Sequence, residues 1–326
     1  MGLAGHRPQA RQATQAERGL AGVTTAEPEN EPRSVHPSAA PAIGPGLTLV
    51  ATPIGNMGDL SPRALAALKA ADAVLCEDSR TTGAMLARLG VAVRLIPLHD
   101  HNEASELPRI LEMLRQGQKL ALVSDAGTPL VSDPGFRLAR AAIAAGLAIS
   151  AIPGPNAAVM ALVLSGLPPE PFLFEGFLPP RAAARQAALA RVKALEQAGL
   201  AASMIFYEAP HRLAESLADM AATFGAERPA AVAREMTKRF EEVRRDSLAA
   251  LAAHYESAEA RGEICIVVGP AAAEAVVGDA EVTAQLRAAL DSGLSVKDAA
   301  EAVAKATGRK RRDVYREALS LLVEKG

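Results

Sequence analysis

Aromatic residues are scarce in this chain of 326 residues, where they make up 3% of the sequence and tryptophan is absent. Proteins that hold single strands of nucleic acid mainly by stacking bases need several aromatic side chains, so the sequence disfavours that class. Neither sign of charge dominates the sequence, because 35 lysines and arginines are balanced by 37 aspartates and glutamates, for a net charge of −2. This balance excludes a polycationic nucleic-acid coat but leaves room for a local basic patch.

Cysteine is rare as well. The two cysteines, Cys76 and Cys265, each lie in an apolar run that is typical of a strand. We expect both to be buried, reduced thiols, which suits a cytoplasmic protein. The N-terminus has no positive-then-apolar pattern of the signal-peptide kind.

One uncharged run, residues 141–169, is long enough to span a bilayer. The tripeptide Pro153-Gly154-Pro155 divides it into a piece of strand length and a piece that resembles a buried helix. Pieces this short indicate the core of a soluble domain, so we expect no membrane partner.

The chain divides into four predicted parts. Residues 1–45 are rich in Pro, Ala, Glu, Gln and Arg without apolar periodicity, which predicts a disordered tail. Alternating strand-like and helix-like segments predict a mostly parallel sheet with helices on both faces over residues 46–167. After a proline-rich linker, residues 168–275 predict a second α/β domain. In residues 283–326, two helical segments joined by a turn predict a small helix-turn-helix unit.

Several well-known motifs are missing. The sequence contains no Gly-x-Gly-x-x-Gly, no Gly-x-x-x-x-Gly-Lys, no His-Glu-x-x-His and no Gly-x-Ser-x-Gly. NAD enzymes, P-loop NTPases, zincins and α/β-hydrolases are therefore disfavoured.

Three loops rich in glycine and proline each follow a predicted strand: residues 52–59 (TPIGNMGD), 124–129 (SDAGTP) and 152–157 (IPGPNA). Ligands of open α/β sheets bind at the carboxyl ends of strands, so we expect these loops to share one cleft. Stiff loops with exposed amides and carbonyls suit a polar, nucleoside-like ligand without phosphates. Turn geometry alone also accounts for any single loop of this kind. Asp125 has two interpretations, a cap for the turn before Gly127 or an acceptor for a ligand amine or ribose.

Polar clusters follow other strands, at residues 77–82 (EDSRTT), 98–103 (LHDHNE), 207–212 (YEAPHR) and 234–239 (REMTKR), and a further cluster, 261–264 (RGEI), leads into a predicted strand. Each cluster either faces a ligand or has a structural role. In the structural interpretation, Ser79 is expected to cap a helix, and the charged residues form solvated surfaces. His99 and His101 lack a second His or Cys cluster to complete a coordination shell, so we expect no metal. We expect another helix to begin at Asp133-Pro134.

Taken together and in order, six motifs resemble those of the ribosomal small-subunit methyltransferase I family of the tetrapyrrole-methylase superfamily. They are TPIGN (52–56), EDSR (77–80), SDAGTP (124–129), IPGPNA (152–157), YEAPHR (207–212) and REMTK (234–238). The resemblance covers residues 47–270, and the C-terminal helical unit is similar to the one that this family carries. The N-terminal tail is not explained by the family pattern.

The resemblance implies two α/β domains of tetrapyrrole-methylase type, the second with a mixed sheet, and S-adenosylmethionine in the cleft between them. It implies 2′-O-methylation of one cytidine in the decoding region of 16S rRNA in the small ribosomal subunit, by a homodimer. The residues that it places around the cofactor are Pro53, Ile54, Gly55, Asp125, Gly127, Thr128, Pro155, Asn156, Ala157, Tyr207, Arg234 and Glu263.

Methyl transfer from a sulfonium is an in-line displacement that needs no metal and depends mainly on positioning and exclusion of water. A ribose hydroxyl is a poor nucleophile, so we expect a base, Glu208 or Lys238. Arg80 or Arg212 would hold the adjacent phosphate. A basic cluster near the C-terminus is predicted to contact RNA phosphates, although a solvated helix end would have the same composition. Its members are Lys305, Arg309, Lys310, Arg311, Arg312 and Arg316.

Two other functions remain open. A tetrapyrrole methyltransferase would use the same cofactor cleft, but an apolar macrocycle favours more aromatic walls than this sequence offers. A non-enzymatic RNA-binding module that has lost the cofactor is the other alternative.

Overall fold

The computed structural model describes residues 43–271 and 278–323. Residues 1–42, most of the predicted N-terminal tail, lie outside the described residues. Within the described part, the chain forms two α/β units in succession, followed by a helical unit.

The first unit is built on a parallel sheet, which confirms the expectation from the alternating segments. Its strands are Gly46–Val50 (β1), Ala73–Cys76 (β2), Arg94–Pro97 (β3), Lys119–Leu122 (β4) and Ile149–Ile152 (β5). Their order is β3-β2-β4-β1-β5, and every pairing is parallel. Because β4, β1 and β5 are neighbours, the three loops that follow them emerge side by side at one edge.

Helices cover both faces of this sheet. They are Pro62–Ala70 (α1), Ser79–Arg88 (α2), Glu103–Arg115 (α3) and Phe136–Ala144 (α4), whereas the helix that follows β5, Ala157–Ser165 (α5), packs elsewhere. The cap of α2 is Asp78, whose carboxylate accepts from the Arg80 amide at 2.8 Å, so the expectation that Ser79 would be the cap is wrong. Helix α4 begins three residues later than the expected start at Asp133, because the chain between them follows an irregular path.

The second unit has a mixed sheet. Its strands are Phe172–Phe177 (β6), Ser203–Glu208 (β7), Pro229–Arg234 (β8), Glu242–Ser247 (β9) and Ile264–Val268 (β10). The order is β6-β7-β10-β8-β9, with β6 and β7 parallel and the other pairs antiparallel. One face packs against Ala182–Gln197 (α6), Leu213–Phe224 (α7) and Leu248–Ser257 (α8).

The other face of the second sheet is covered by α5, a helix of the first unit. Ala158, Ala161 and Leu162 of α5 are buried against β7, β8 and β10. Helix α5 is apolar around its whole circumference, although Val159, Met160 and Val163 on its outward side are exposed. The two units therefore share a hydrophobic core.

The C-terminal unit consists of Asp279–Asp291 (α9), Val296–Thr307 (α10) and Arg311–Val323 (α11). Ser295 caps α10, and Gly308 ends it in the left-handed conformation that glycine tolerates best. Helix α9 was not predicted, because its alanine-rich sequence offers only Val282 and Leu286 as large buried side chains.

The uncharged run of residues 141–169 is divided as expected, since its middle forms β5 and α5. No helix in the described residues combines the length and the apolar character needed to cross a membrane. Cys76 and Cys265 are buried and unpaired, which confirms that expectation.

Candidate active site

A cleft of about 390 Å³ lies at the carboxyl edge of the first sheet and has the second unit as its opposite wall. The first unit contributes Ile54, Asp125, Ala126, Gly127, Thr128, Val131, Ser132, Asp133, Asn156 and Ala157, and the second contributes Phe177, Tyr207, Glu208, Ala209, Pro210, Met236, Gly262, Glu263, Ile264 and Cys265. The volume is in the range of sites for small ligands and cofactors.

The three glycine- and proline-rich loops are bonded to one another at the rim of this cleft. Thr52 and Gly127 exchange backbone hydrogen bonds of 2.8 and 3.1 Å. The Thr128 hydroxyl donates to the Pro155 carbonyl at 3.0 Å, and the Asn156 amide nitrogen donates to that hydroxyl at 3.3 Å. The loops form one rigid cradle, as a site that must position a ligand requires.

Carboxyl groups make one side of the cleft acidic. Burial, together with the nearby carboxylates of Glu77 and Asp125, raises the pKa of Asp133 to about 6, against a hydrogen bond from Ser124 that lowers it. Burial is also the main cause of the raised pKa values of Asp125 and Glu77. One oxygen of Asp125 accepts from the Asp78 amide at 3.2 Å. This wall favours a ligand that carries positive charge or hydroxyl donors.

The opposite wall is apolar and aromatic. The ring of Tyr207 packs edge-to-face against Phe174 and Phe177, with centroid distances of 5.0 and 5.5 Å. Burial raises the pKa of Tyr207 to about 12, so its phenol is neutral at physiological pH. Met236 and Ile264 complete a surface that suits the face of a flat ring.

Glu208, one of the two predicted bases, is 2% exposed and held by three partners. Its carboxylate accepts from the Ala209 amide at 2.8 Å and from the Ser216 hydroxyl at 2.5 Å, and it forms an ion pair with Arg212. These bonds tie the end of β7 to α7. They occupy the oxygens that a proton acceptor would need free.

Lys238, the other predicted base, lies in the turn between β8 and β9 of the second unit. This turn contacts the loop after β1 of the first unit. Its ammonium donates to Glu235 and Glu263, each at 2.8 Å. Burial lowers the pKa of Lys238, but these two hydrogen bonds outweigh it and the net shift is upward, which keeps the amine protonated. An added Cβ on Gly55 would lie 2.4 Å from Lys238 Cγ, so the close approach of the two units here depends on a glycine.

The structure brings many of the predicted site residues together. The cleft is lined by Ile54, Asp125, Gly127, Thr128, Asn156, Ala157, Tyr207, Glu208 and Glu263. Those not among its lining residues are Pro53, Gly55, Arg80, Pro155, Arg212, Arg234 and Lys238. Arg234 pairs with Glu242 at 2.6 Å, and the exposed Arg80 pairs with Asp78 at 2.7 Å. All the assigned roles remain predictions.

The sequence pattern did not point to Val131, Ser132 and Asp133 as lining residues. The signal was present, because a second Ser-Asp pair follows the SDAGTP loop after two apolar residues. Their path includes positive φ angles at Leu130 and Ser132, which brings the segment back to the cleft. In residues 43–271 and 278–323, no three His, Cys, Asp or Glu side chains are grouped as a metal ion would require.

The predicted basic cluster divides into two groups. Arg309, Arg311 and Arg316 form ion pairs with Asp279, Glu301 and Asp313. Lys305, Lys310 and Arg312 are exposed and form no ion pair within the described residues. These three, like Lys297 of α10, have no ion-pair partner among the described residues.

Family comparisons agree with this geometry. A family model described as Tetrapyrrole (Corrin/Porphyrin) Methylases matches residues 46–252, and one described as RsmI C-terminal HTH domain matches residues 276–322. Among solved structures, diphthine synthase has a TM-score of 0.54 at 16% identity, covering 68% of this chain and 89% of that one. The methyltransferase CobJ has a TM-score of 0.52 at 22% identity, covering 70% and 95%. The fold and the cleft define the tetrapyrrole-methylase class.

Curated relatives narrow the assignment. "Ribosomal RNA small subunit methyltransferase I" of Mesorhizobium japonicum is 46% identical over 278 residues, which cover 85% of this chain and 92% of that protein. The protein of the same name from Pseudomonas aeruginosa is 43% identical over 278 residues, or 84% and 96% of the two chains. This chain belongs to the ribosomal RNA small subunit methyltransferase I family, which confirms the resemblance seen in its motifs.

Proposed function

We propose that this protein is an rRNA methyltransferase that uses S-adenosylmethionine to methylate a ribose 2′-oxygen of 16S rRNA. The target would be one cytidine in the decoding region, and the reaction would take place in the cytoplasm. The observation that supports this best is the cleft, where an acidic wall faces an apolar one in a chain of this family.

The residues of the cleft fit S-adenosylmethionine. The acidic wall suits its positive charge, and the ring-bearing wall suits its base. Asp125 uses one oxygen for the Asp78 amide, which leaves the other for a ribose hydroxyl or an amine. When bound, the cofactor supplies an electrophilic methyl group on a sulfonium. The loops that would hold it are already bonded to one another, so little ordering is needed on binding.

Asp133 is better placed than Glu208 or Lys238 to accept the proton of the ribose hydroxyl. Asp133 and Glu208 both line the cleft, but Glu208 is enclosed by three partners, and Lys238 is held by two carboxylates. A pKa of about 6 leaves the Asp133 carboxylate ionised at pH 7 yet more basic than an ordinary aspartate, as general base catalysis requires.

The helical unit would hold the rRNA outside the cleft. Lys305, Lys310 and Arg312 project free charges that can replace counterions on phosphates. Such contacts add affinity without reading sequence, so they suit a unit that holds the substrate while the cleft selects the nucleotide.

We also propose a homodimer that forms through the outward side of α5. Val159, Met160 and Val163 are exposed there, with Val163 66% exposed. An uncharged, apolar helix side of this kind is characteristic of an interface between copies. Sedimentation of the purified protein would report the dimer, and a monomer at micromolar concentration would contradict it.

The decisive experiment is incubation of the purified protein with labelled S-adenosylmethionine and small ribosomal subunits, free 16S rRNA or uroporphyrinogen. We expect label in the rRNA, with mass mapping placing it on a 2′-O-methylcytidine. Label in uroporphyrinogen alone would instead identify a tetrapyrrole methyltransferase. Calorimetry with the cofactor gives the second check, since the absence of heat would favour an RNA-binding module without catalysis.

A further inference from the structure

Helix α4 carries an unusual exposed face directly beside the cleft. Phe136 is 62% exposed and Ile143 is 61% exposed, and the exposed Arg137 and Arg140 lie between them in sequence. Phe136, Arg140 and Ile143 have the i, i+4, i+7 spacing that aligns side chains on one side of a helix. The opposite side is buried. A large aromatic ring and two cations thus share a surface that the proposed catalytic roles leave unused.

The two guanidinium groups of this face are uncompensated. Some exposed arginines of the α/β units, such as Arg244 and Arg261, pair with a neighbouring glutamate, whereas Arg88 and Arg94 do not within the described residues. Within the described residues, Arg137 and Arg140 form no ion pair and no side-chain hydrogen bond. Their charges are therefore free for an anionic partner.

The first turn of this face is anchored close to the cleft. Phe136 comes three residues after Asp133, so their Cα atoms are at most about 11 Å apart. Between them, a Cβ on Gly135 would lie 2.6 Å from a Leu122 methyl carbon, which means that the junction is packed without spare room. The buried Glu103 accepts from the Leu138 amide at 2.9 Å and so anchors the first turn of α4.

The electrostatics of the cleft explain why a substrate would need such a face. Asp125 and Asp133 give the cleft a negative potential, which suits a cationic cofactor but repels phosphates. When one nucleotide of an RNA strand enters, its neighbouring phosphates must lie outside and be held there by cations. An unstacked neighbouring base also needs a surface on which to stack.

We infer that the exposed face of α4, made of Phe136, Arg137, Arg140 and Ile143, binds the single-stranded RNA next to the nucleotide in the cleft. This inference rests on the proposed function. Arg137 and Arg140 contact the flanking phosphates, and Phe136 stacks on a neighbouring base. A second copy of the chain is a poorer occupant, because a two-fold contact through this face would bring like charges together.

The test compares the double variant Arg137→Ala/Arg140→Ala with the control Arg88→Ala/Arg94→Ala. The control arginines are also exposed and without an ion pair in the described residues, but they lie where α2 ends and β3 begins, at the amino edge of the sheet. We expect the first variant to raise KM for small subunits at least tenfold and to lower the log–log salt slope of binding by about 1.4. S-adenosylmethionine affinity and Tm should not change, and the control should resemble the wild type.

Phe136 gives an independent test, since Phe136→Ala removes the ring and Phe136→Tyr keeps it. We expect Phe136→Ala to weaken subunit binding about tenfold and Phe136→Tyr to restore it, because stacking on one base contributes about 1–3 kcal/mol. Equal KM values for the arginine variant and its control would overturn the inference, and so would a change from dimer to monomer in the arginine variant. A wild-type protein that methylates no RNA would instead refute the proposed function.

Discussion

Replacing Asp133 by asparagine tests the proposed base through two quantities that should move in opposite directions. The folded state raises the pKa of this carboxyl from 3.8 to about 6, a shift of roughly 2 units that corresponds to about 3 kcal/mol at 1.36 kcal/mol per unit. The group is partly exposed, and solvent screening reduces the figure to about 1–2 kcal/mol. Asparagine keeps the size and an acceptor for Ser124 but carries no charge.

The sign follows from linkage. Because the pKa is raised in the folded state, the protonated form stabilises the fold fully below about pH 4, and this contribution is lost as the pH rises through about 6. Asp133→Asn should therefore raise the free energy of unfolding by about 1–2 kcal/mol at pH 7.5 and leave it unchanged below pH 4. Denaturant titrations at the two pH values measure the difference.

In contrast to the gain in stability, Asp133→Asn should lower the rate of methyl transfer. In the wild type, the single-turnover rate should rise with pH through about 6 and then level off, as Asp133 becomes ionised. Asp133→Asn should lower the plateau by about 10²- to 10⁴-fold and lose this titration. An unchanged rate would refute the role as base, and a loss of stability at pH 7.5 would refute the energetic reasoning.

Three further predictions concern the joint between the units, the buried ion pair and the helical unit. Gly55→Ala should lower Tm and weaken cofactor affinity in calorimetry, because its methyl group would overlap Lys238. Glu208→Gln should destabilise the protein by about 3 kcal/mol in denaturant unfolding, since it breaks a buried ion pair, but leave the single-turnover rate of folded enzyme unchanged. A large loss of rate at full folding would restore Glu208 as a base. Lys310→Ala/Arg312→Ala should weaken subunit binding in filter assays and spare cofactor binding, and equal subunit affinity would contradict an RNA role for these cations.

The convergence of the three glycine- and proline-rich loops was predictable from the sequence. Each follows an apolar segment of strand length, and parallel strands present their carboxyl ends at one edge. The pattern left the strand order open, and the adjacency of β4, β1 and β5 is what brings the loops into hydrogen-bonding contact.

The second wall of the cleft was much harder to predict. Ile264 and Cys265 belong to a fully apolar strand, so the sequence predicts only that they are buried in the core. One partner of Lys238, Glu235, is three residues away, but the other, Glu263, is 25 residues away and could not be predicted from the sequence, because only the fold brings it close. The segment before α4 was missed because local sequence favours a helix start at Asp133, whereas contacts made after folding hold it in an irregular loop.

The sharing of α5 has a consequence for synthesis of the chain. Helix α5 leaves the ribosome before any strand of the second sheet, and the central strand β10 that it packs against comes about 100 residues later. Until then, the first unit carries a bare apolar helix, which makes the nascent chain prone to association. An isolated fragment of residues 46–167 would keep that apolar surface uncovered permanently. Because the two units share a core, we expect the whole protein to unfold in one cooperative transition rather than two.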